Sequence, residues 1–165
     1  SDGVDGITTN CGFLALYQAE LASAVSIPVA TSSLMQVDFV NRILPVGKRA
    51  GILTISGSTL TQNHLALAGV PLDTPIGSTE NGLEFTRAIL NNENELDVDQ
   101  SRRDNVEAAQ ALVGNNPDLG AIVLECTNMT PYAADIRKAT GLPVFSIVSF
   151  INWFQSALTP VQYGR

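Results

Sequence analysis

Two cysteines, Cys11 and Cys126, stand 115 positions apart, and sliding the sequence against itself by that interval aligns more than the thiols. Ile7 meets Ile122, Tyr17 meets Tyr132, Ala24 meets Ala139, Pro28-Val29 meets Pro143-Val144 and Phe39 meets Phe154. Conservative pairs fill in between them: Glu20 with Asp135, Leu21 with Ile136, Ile27 with Leu142, Thr31 with Ser146. Each copy reads apolar strand, Cys, helix, strand, helix, and a repeated supersecondary unit decides an architecture. Open parallel sheets bind ligands outside the carboxyl ends of their strands. A thiol at a helix start also meets the positive end of the helix dipole, which favours the thiolate. Two such thiols facing each other across a cleft could remove a proton from a carbon and return one from the opposite side, which is two-base acid/base chemistry. Free cysteines are often merely buried, but packing alone gives no reason for matched placement. A disulfide needs Cα atoms within about 7 Å, which does not suit a cleft that admits a substrate.

The neighbours of the thiols are polar. Thr8, Thr9 and Asn10 precede Cys11 and Gly12 follows it, while Thr127 and Asn128 follow Cys126. Such groups suit a small acidic substrate, as do backbone amides at helix starts. A third candidate is Ile55-Ser56-Gly57-Ser58-Thr59, where a strand runs into a small-residue turn that offers amides and hydroxyls to an anion. That turn is too short for a Walker loop and has no Lys in place, so nucleotide binding is not expected. Glu125 admits three readings: it tunes Cys126, binds a substrate ammonium, or is solvated at a strand end. His64 is expected to be structural or at the rim, and Trp153 and Phe154 to pack in the core or between lobes.

The elements that must position these residues follow from periodicity. Strands are predicted near Val4–Thr9, Pro28–Ser32, Ala50–Ile55, Gly120–Leu124 and Pro143–Val148, with a weaker one around Val70–Ile76. Phe13, Tyr17, Leu21 and Ala24 fall on one helical face, and Val106, Ala109, Leu112 and Val113 on another, closed by Gly114 and Pro117. Glu80–Leu90 is predicted helical, and the acidic stretch 91–99 a solvated connection without the ligand spacing of a calcium loop. The alternation gives an α/β fold of two similar parallel-sheet lobes related by a pseudo-twofold axis. The first lobe comprises 1–33 plus 147–165 and the second 34–146. The chain opens without Met and runs at once into a strand, so the first lobe is expected to be incomplete at its N-terminus.

Composition narrows the classes. The 165 residues, 45% hydrophobic and 15% charged, supply a real core and too little charge for disorder. A net charge of −7 disfavours nucleic acid and anionic membrane surfaces. No apolar run approaches the roughly 18 residues of a membrane span, and no segment reads as a signal peptide. Two Cys and one His do not make a zinc site of the usual kind. No metal or cofactor is expected. Two cysteines make no disulfide framework, so a reducing cytoplasm is the expected compartment.

Thr8-Thr9-Asn10-Cys11-Gly12-Phe13 and Glu125-Cys126-Thr127-Asn128-Met129 resemble the paired cysteine motifs of the aspartate/glutamate racemase superfamily, and Arg49–Thr54 with Gly57-Ser58 resembles the strand and turn opening its second lobe. That superfamily includes aspartate, glutamate and hydantoin racemases, maleate isomerase and arylmalonate decarboxylase. The resemblance implies a PLP-independent isomerase that racemises an acidic amino acid or related carboxylate at its α carbon. Cys11 and Cys126 would be its acid/base pair, with Asn10 and Thr127 on the substrate carboxylate and Ser58 and Thr59 at the rim. Thr9, Gly12 and Asn128 complete the expected binding set. A homodimer is a further implication. Maleate-type cis–trans isomerisation, arylmalonate-type decarboxylation and non-catalytic ligand binding are the alternatives. Three departures bear on the substrate: Asn128 stands where glutamate-type racemases have His, Gly12 where a hydroxyl or amide residue is common, and His64 where Tyr is frequent.

Overall fold

The computed structural model describes residues 3–164; Ser1, Asp2 and Arg165, at the outer limits of the expected first lobe, lie outside the described residues. Its centre is a parallel four-stranded sheet of β3 (Arg49–Thr54), β4 (Ile76–Ser78), β5 (Leu119–Leu124) and β6 (Val144–Phe145), in the order β4-β3-β5-β6. β1 (Ile7–Thr8) and β2 (Val29–Ala30) form a separate parallel pair. Around these strands lie α1 (Gln18–Ala24), α2 (Val37–Ile43), α3 (Gln62–Leu67), α4 (Phe85–Leu90), α5 (Val98–Asn115), α6 (Ala133–Thr140) and α7 (Ile147–Leu158). The expected α/β architecture with parallel strands is therefore the observed one.

β3 and β5 carry apolar side chains on both faces because both faces are covered, the rule for parallel strands. Ala50, Ile52, Ala121 and Val123 pack with Leu34, Val37, Val40 and Leu65 on one side. Leu53, Ile55, Ile122 and Leu124 pack with Phe85, Ala109, Met129, Tyr132 and Ile136 on the other. α7 lies against the small sheet, Ile147 and Phe150 packing with Ala30. Among the described residues, no helix is long and apolar enough to cross a membrane.

The internal repeat is preserved in the elements. β1, the 3-10 turn Gly12–Tyr17, α1 and β2 recur as β5, the 3-10 turn Thr127–Tyr132, α6 and β6. The starts of both turns, of both following helices and of both second strands keep the interval that separates the cysteines.

Several expected elements shift. The apolar run 143–148 splits, because the Ser146 hydroxyl and Ser149 form a capping box that starts α7 at Ile147. The strand expected at 70–76 is Ile76–Ser78, since residues 70–75 carry Pro71 and Pro75 and make a turn closed by Thr74 N–H on the Pro71 carbonyl. Only Phe85–Leu90 of the stretch 80–90 is helical; the buried Asp104 side chain accepts the N–H groups of Leu83, Glu84 and Phe85 and fixes where α4 begins. α5 runs past Gly114 to Asn115 and starts at Val98, with Asp97 as its cap, so the last two residues of the acidic stretch are helical. The Phe13/Tyr17/Leu21 stretch begins as a 3-10 turn rather than as one helix; Phe13 packs against the core, while Tyr17 and Leu21 are exposed. Trp153 is likewise exposed, stacked on Phe150 with ring centroids 5.8 Å apart.

Candidate active site

Each cysteine ends a strand-to-turn junction and stands at the N-cap of a six-residue 3-10 turn. In both copies the cysteine carbonyl accepts the N–H three residues on, Leu14 N to Cys11 O and Met129 N to Cys126 O, each 3.1 Å. Local sequence dictates this geometry: an extended residue after an apolar strand, then a turn whose first free amides fold back onto it. Both cysteines are free thiols, Cys11 exposed and Cys126 half-buried.

The two motifs touch. Thr127 Oγ1 donates to the Asn10 carbonyl at 2.6 Å, tying the residue after one thiol to the residue before the other. Thr9 Oγ1 donates to the Thr31 carbonyl and lies 3.5 Å from Cys11 N as an acceptor, so it shapes the Cys11 loop. Asn10 and Asn128 are exposed beside the thiols. This bond brings Asn10 and Thr127 together, and with them the turns that carry Cys11 and Cys126.

Beneath them lies a group whose placement the sequence left open. The Glu125 side chain is 2% exposed, and its Oε2 accepts a hydrogen bond from Thr54 Oγ1 at 2.8 Å. A Cβ built on Gly12 would lie 2.1 Å from Glu125 Oε1, so only glycine fits after Cys11. This is the physical reason for one of the departures from the racemase pattern. Burial raises the Glu125 carboxyl to about 6, against the Thr54 hydroxyl and the Ile55 N–H, which both favour the carboxylate. The solvated reading of Glu125 is thereby excluded.

The dipole argument for Cys126 needs correction. Burial pushes its thiol up to about 12; the Glu125 carboxylate adds to the rise, as does Cys11, while the N–H groups of Asn128 and Met129 work the other way. A short 3-10 turn aligns too few peptides to offset the desolvation.

The turn at 56–59 already holds an anion. The Glu80 carboxylate accepts from Ser56 Oγ at 2.8 Å, Gly57 N at 3.1 Å, Ser58 N at 3.3 Å, Ser78 Oγ at 3.0 Å and the Ser58 hydroxyl. The Ser58 and Ser56 hydroxyls hold it well below the usual carboxylate range, at about 2. Thr59 Oγ1 donates to Ser56 Oγ at 2.7 Å. Ser58 and Thr59 therefore serve a side chain of the protein itself in this structure. The anion-binding chemistry read from the turn is present, with an internal occupant the sequence did not name. Ser56 N also donates to Thr54 Oγ1 at 3.3 Å, so one row of hydrogen bonds runs from Glu125 through Thr54 and Ser56 to Glu80. His64 is structural, as one expectation had it: Nδ1 lies 3.1 Å from Thr61 N in a capping box, the ring packs edge-on against Phe13, and burial lowers its pKa.

Solved structures resemble this arrangement over nearly the whole chain. Glutamate racemase from Bacillus anthracis aligns with a TM-score of 0.60 at 18% identity, covering 95% of this chain and 61% of its own. Allantoin racemase from Pseudomonas fluorescens gives 0.64 at 17%, covering 96% and 63%. Arylmalonate decarboxylase gives 0.61 at 17%, covering 98% and 71%. This is the aspartate/glutamate racemase-like fold. At such identities the racemase-like fold says nothing of activity.

Curated proteins similar in sequence carry a different name. A dimethylsulfoniopropionate lyase of Durusdinium sp. clade D is 30% identical over 159 residues, covering 92% of this chain and 52% of the relative. Dimethylsulfoniopropionate lyase 6 of Emiliania huxleyi (strain CCMP1516) is 33% identical over 166 residues, covering 94% and 43%. The chain spans about half the length of these relatives. No protein-family model matches the chain. The expectation of a racemase, and of the isomerase class with it, is overturned by these lyase names. The likeness in fold does not single out racemisation.

Proposed function

We propose that this chain is the thiol-bearing part of a lyase that cleaves dimethylsulfoniopropionate or a close sulfonium analogue. The observation that carries the reading is the likeness to dimethylsulfoniopropionate lyases over more than nine-tenths of the chain. The chemistry fits a site built around thiols. A thiolate takes a proton from the carbon next to the substrate carboxylate; the electron pair of that C–H bond forms the new double bond; the bond from the β carbon to sulfur breaks and dimethyl sulfide leaves with its electrons. The products are dimethyl sulfide, acrylate and a protonated thiol, which returns its proton to water. No redox partner enters this balance.

Racemisation asks for two matched acid/base groups, one on each face of a carbon, whereas elimination asks for one base and a leaving group. The unequal environments of Cys11 and Cys126 suit the second demand. Asn10, Asn128 and Thr127, beside the thiols, are the groups offered to the substrate carboxylate, with Thr9 and Gly12 shaping the loop that presents Cys11. Free thiols suit a reducing compartment such as the cytoplasm. The test is to incubate the full chain with dimethylsulfoniopropionate and follow dimethyl sulfide in the headspace and acrylate by NMR. Release of both in equal amounts, lost on Cys11→Ser in a folded variant, is the expected result. A folded full chain that releases neither overturns the reading.

A further inference from the structure

We propose that Glu125 is a positioning residue that makes the two thiols unequal, its walled-in carboxylate seating the Cys11 loop on one side and keeping Cys126 protonated on the other. The inference rests on the reading above only in taking both thiols as site groups. Its geometric basis is the meeting of three elements on one buried side chain. From β3, Thr54 Oγ1 donates to Oε2. From the turn after Cys11, the bare Cα of Gly12 lies so close to Oε1 that no side chain fits between. From the turn after β2, the Ser33 hydroxyl donates to the Leu124 carbonyl at 2.6 Å and approaches the Glu125 carbonyl at 3.3 Å, pinning the strand end that carries both Glu125 and Cys126. The Cys11 loop thus rests on the carboxylate, and the carboxylate has one fixed place.

The charges around Glu125 decide the second half. Cys126 is next to it in sequence, and both Glu125 and Cys11 act on Cys126 as like charges. The neighbours from β3 and from the turn after β2 are the neutral hydroxyls of Thr54 and Ser33, with the Ile55 N–H. His64 faces Phe13 and Thr61. Among the described residues no Lys, Arg or His forms an ion pair with Glu125. An uncompensated buried carboxylate disfavours a second negative charge beside it. Burial first, and this charge beside it, keep Cys126 with its proton, which leaves the exposed Cys11 to act as base.

The experiment is a pH series of iodoacetamide labelling on the full chain without substrate, each cysteine quantified by its own peptide in mass spectrometry. In Glu125→Gln, which keeps the shape and loses the charge, the labelling midpoint of Cys126 should fall by about one pH unit or more. Labelling of Cys126 at a fixed pH below that midpoint should then quicken about tenfold or more. The Cys11 midpoint should move less. If Glu125→Gln does not fold by circular dichroism, the pair Gly12→Ala with Glu125→Ala removes the charge and refills part of the space, with the same shift expected. A Cys126 midpoint unchanged in a folded variant, or both midpoints moving together, overturns the proposal. Because no substrate is present, an inactive lyase assay leaves this outcome untouched, and the two readings fail separately.

Discussion

Gly12 and Glu125 occupy one another's space: a single methyl at Gly12 would sit 2.1 Å from the Glu125 carboxylate oxygen and 2.6 Å from the Glu125 backbone carbonyl. The residue after the first cysteine and the residue before the second are thereby fixed as a pair, 113 positions apart in sequence. Gly12→Ala should destabilise the chain by about 1–3 kcal/mol, the usual cost of overpacking a tight site. A fall in the urea midpoint, measured beside the wild type, is the expected result. Glu125→Ala should recover part of it in the double variant, because the two changes relieve one clash.

The thiol that acts as base should matter most to turnover. Cys11→Ser, with circular dichroism unchanged, should lower dimethyl sulfide release by a factor of about 100 or more, the lower range of a positioned acid/base group. Headspace chromatography at saturating substrate separates this from a binding defect.

The hydrogen bond from Thr127 Oγ1 to the Asn10 carbonyl joins the two cysteine motifs directly. Thr127→Val keeps the volume and removes the donor, so the lost stability should be modest, about 1 kcal/mol. The larger consequence is expected in KM, since the amide groups beside the two thiols would no longer be held in one register. Thermal melting and steady-state kinetics on the same preparation check both parts.

Two carboxylates should give stability opposite dependences on pH. The Glu125 carboxyl is raised from its ordinary 4.5 to about 6 by burial, so it binds its proton more tightly in the folded chain. Its contribution is complete below about 4.5 and is lost as the pH rises through about 6, an effect of about 2 kcal/mol. Glu125→Gln should flatten the fall in urea midpoint over that window.

Glu80 runs the other way. It is lowered from 4.5 to about 2 by the Ser58 and Ser56 hydroxyls, so its contribution is present above about 4.5 and disappears as the pH falls toward about 2. Glu80→Gln should lower stability near neutrality and flatten its fall between about pH 4.5 and 2. Unfolding curves taken across the acid range decide it.

The sequence made the thiols and their setting legible because the relevant signal is local. An apolar run, a cysteine and a helix-forming stretch appear twice at one spacing, and β1, β2, β5 and β6 stand where that pattern put them. Glu80 was illegible because it reaches the Ser56–Ser58 turn from a neighbouring strand end more than twenty residues on, and nothing in a polar turn says which anion will fill it. Glu125 was ambiguous for a related reason: its burial is decided by Gly12 and Thr54, both remote in sequence. The run Pro143–Val148 suits a strand or a helix equally by composition, and the serine cap that divides it is a tertiary-scale decision. The chemistry was the least legible part, since one fold carries proteins named for different reactions.

The repeat has a consequence for how such chains can vary in length. From the first strand of each copy to the second, 7 to 30 and 122 to 145, the starts of the turns, helices and second strands keep one spacing, and each thiol is placed by counting residues from its strand. One residue inserted between a strand and its cysteine would turn that thiol away from its counterpart while leaving the other untouched. Insertions and deletions in this fold should therefore gather between the copies, in the surface turns from 44 to 118, and spare the two short arcs that aim the sulfurs.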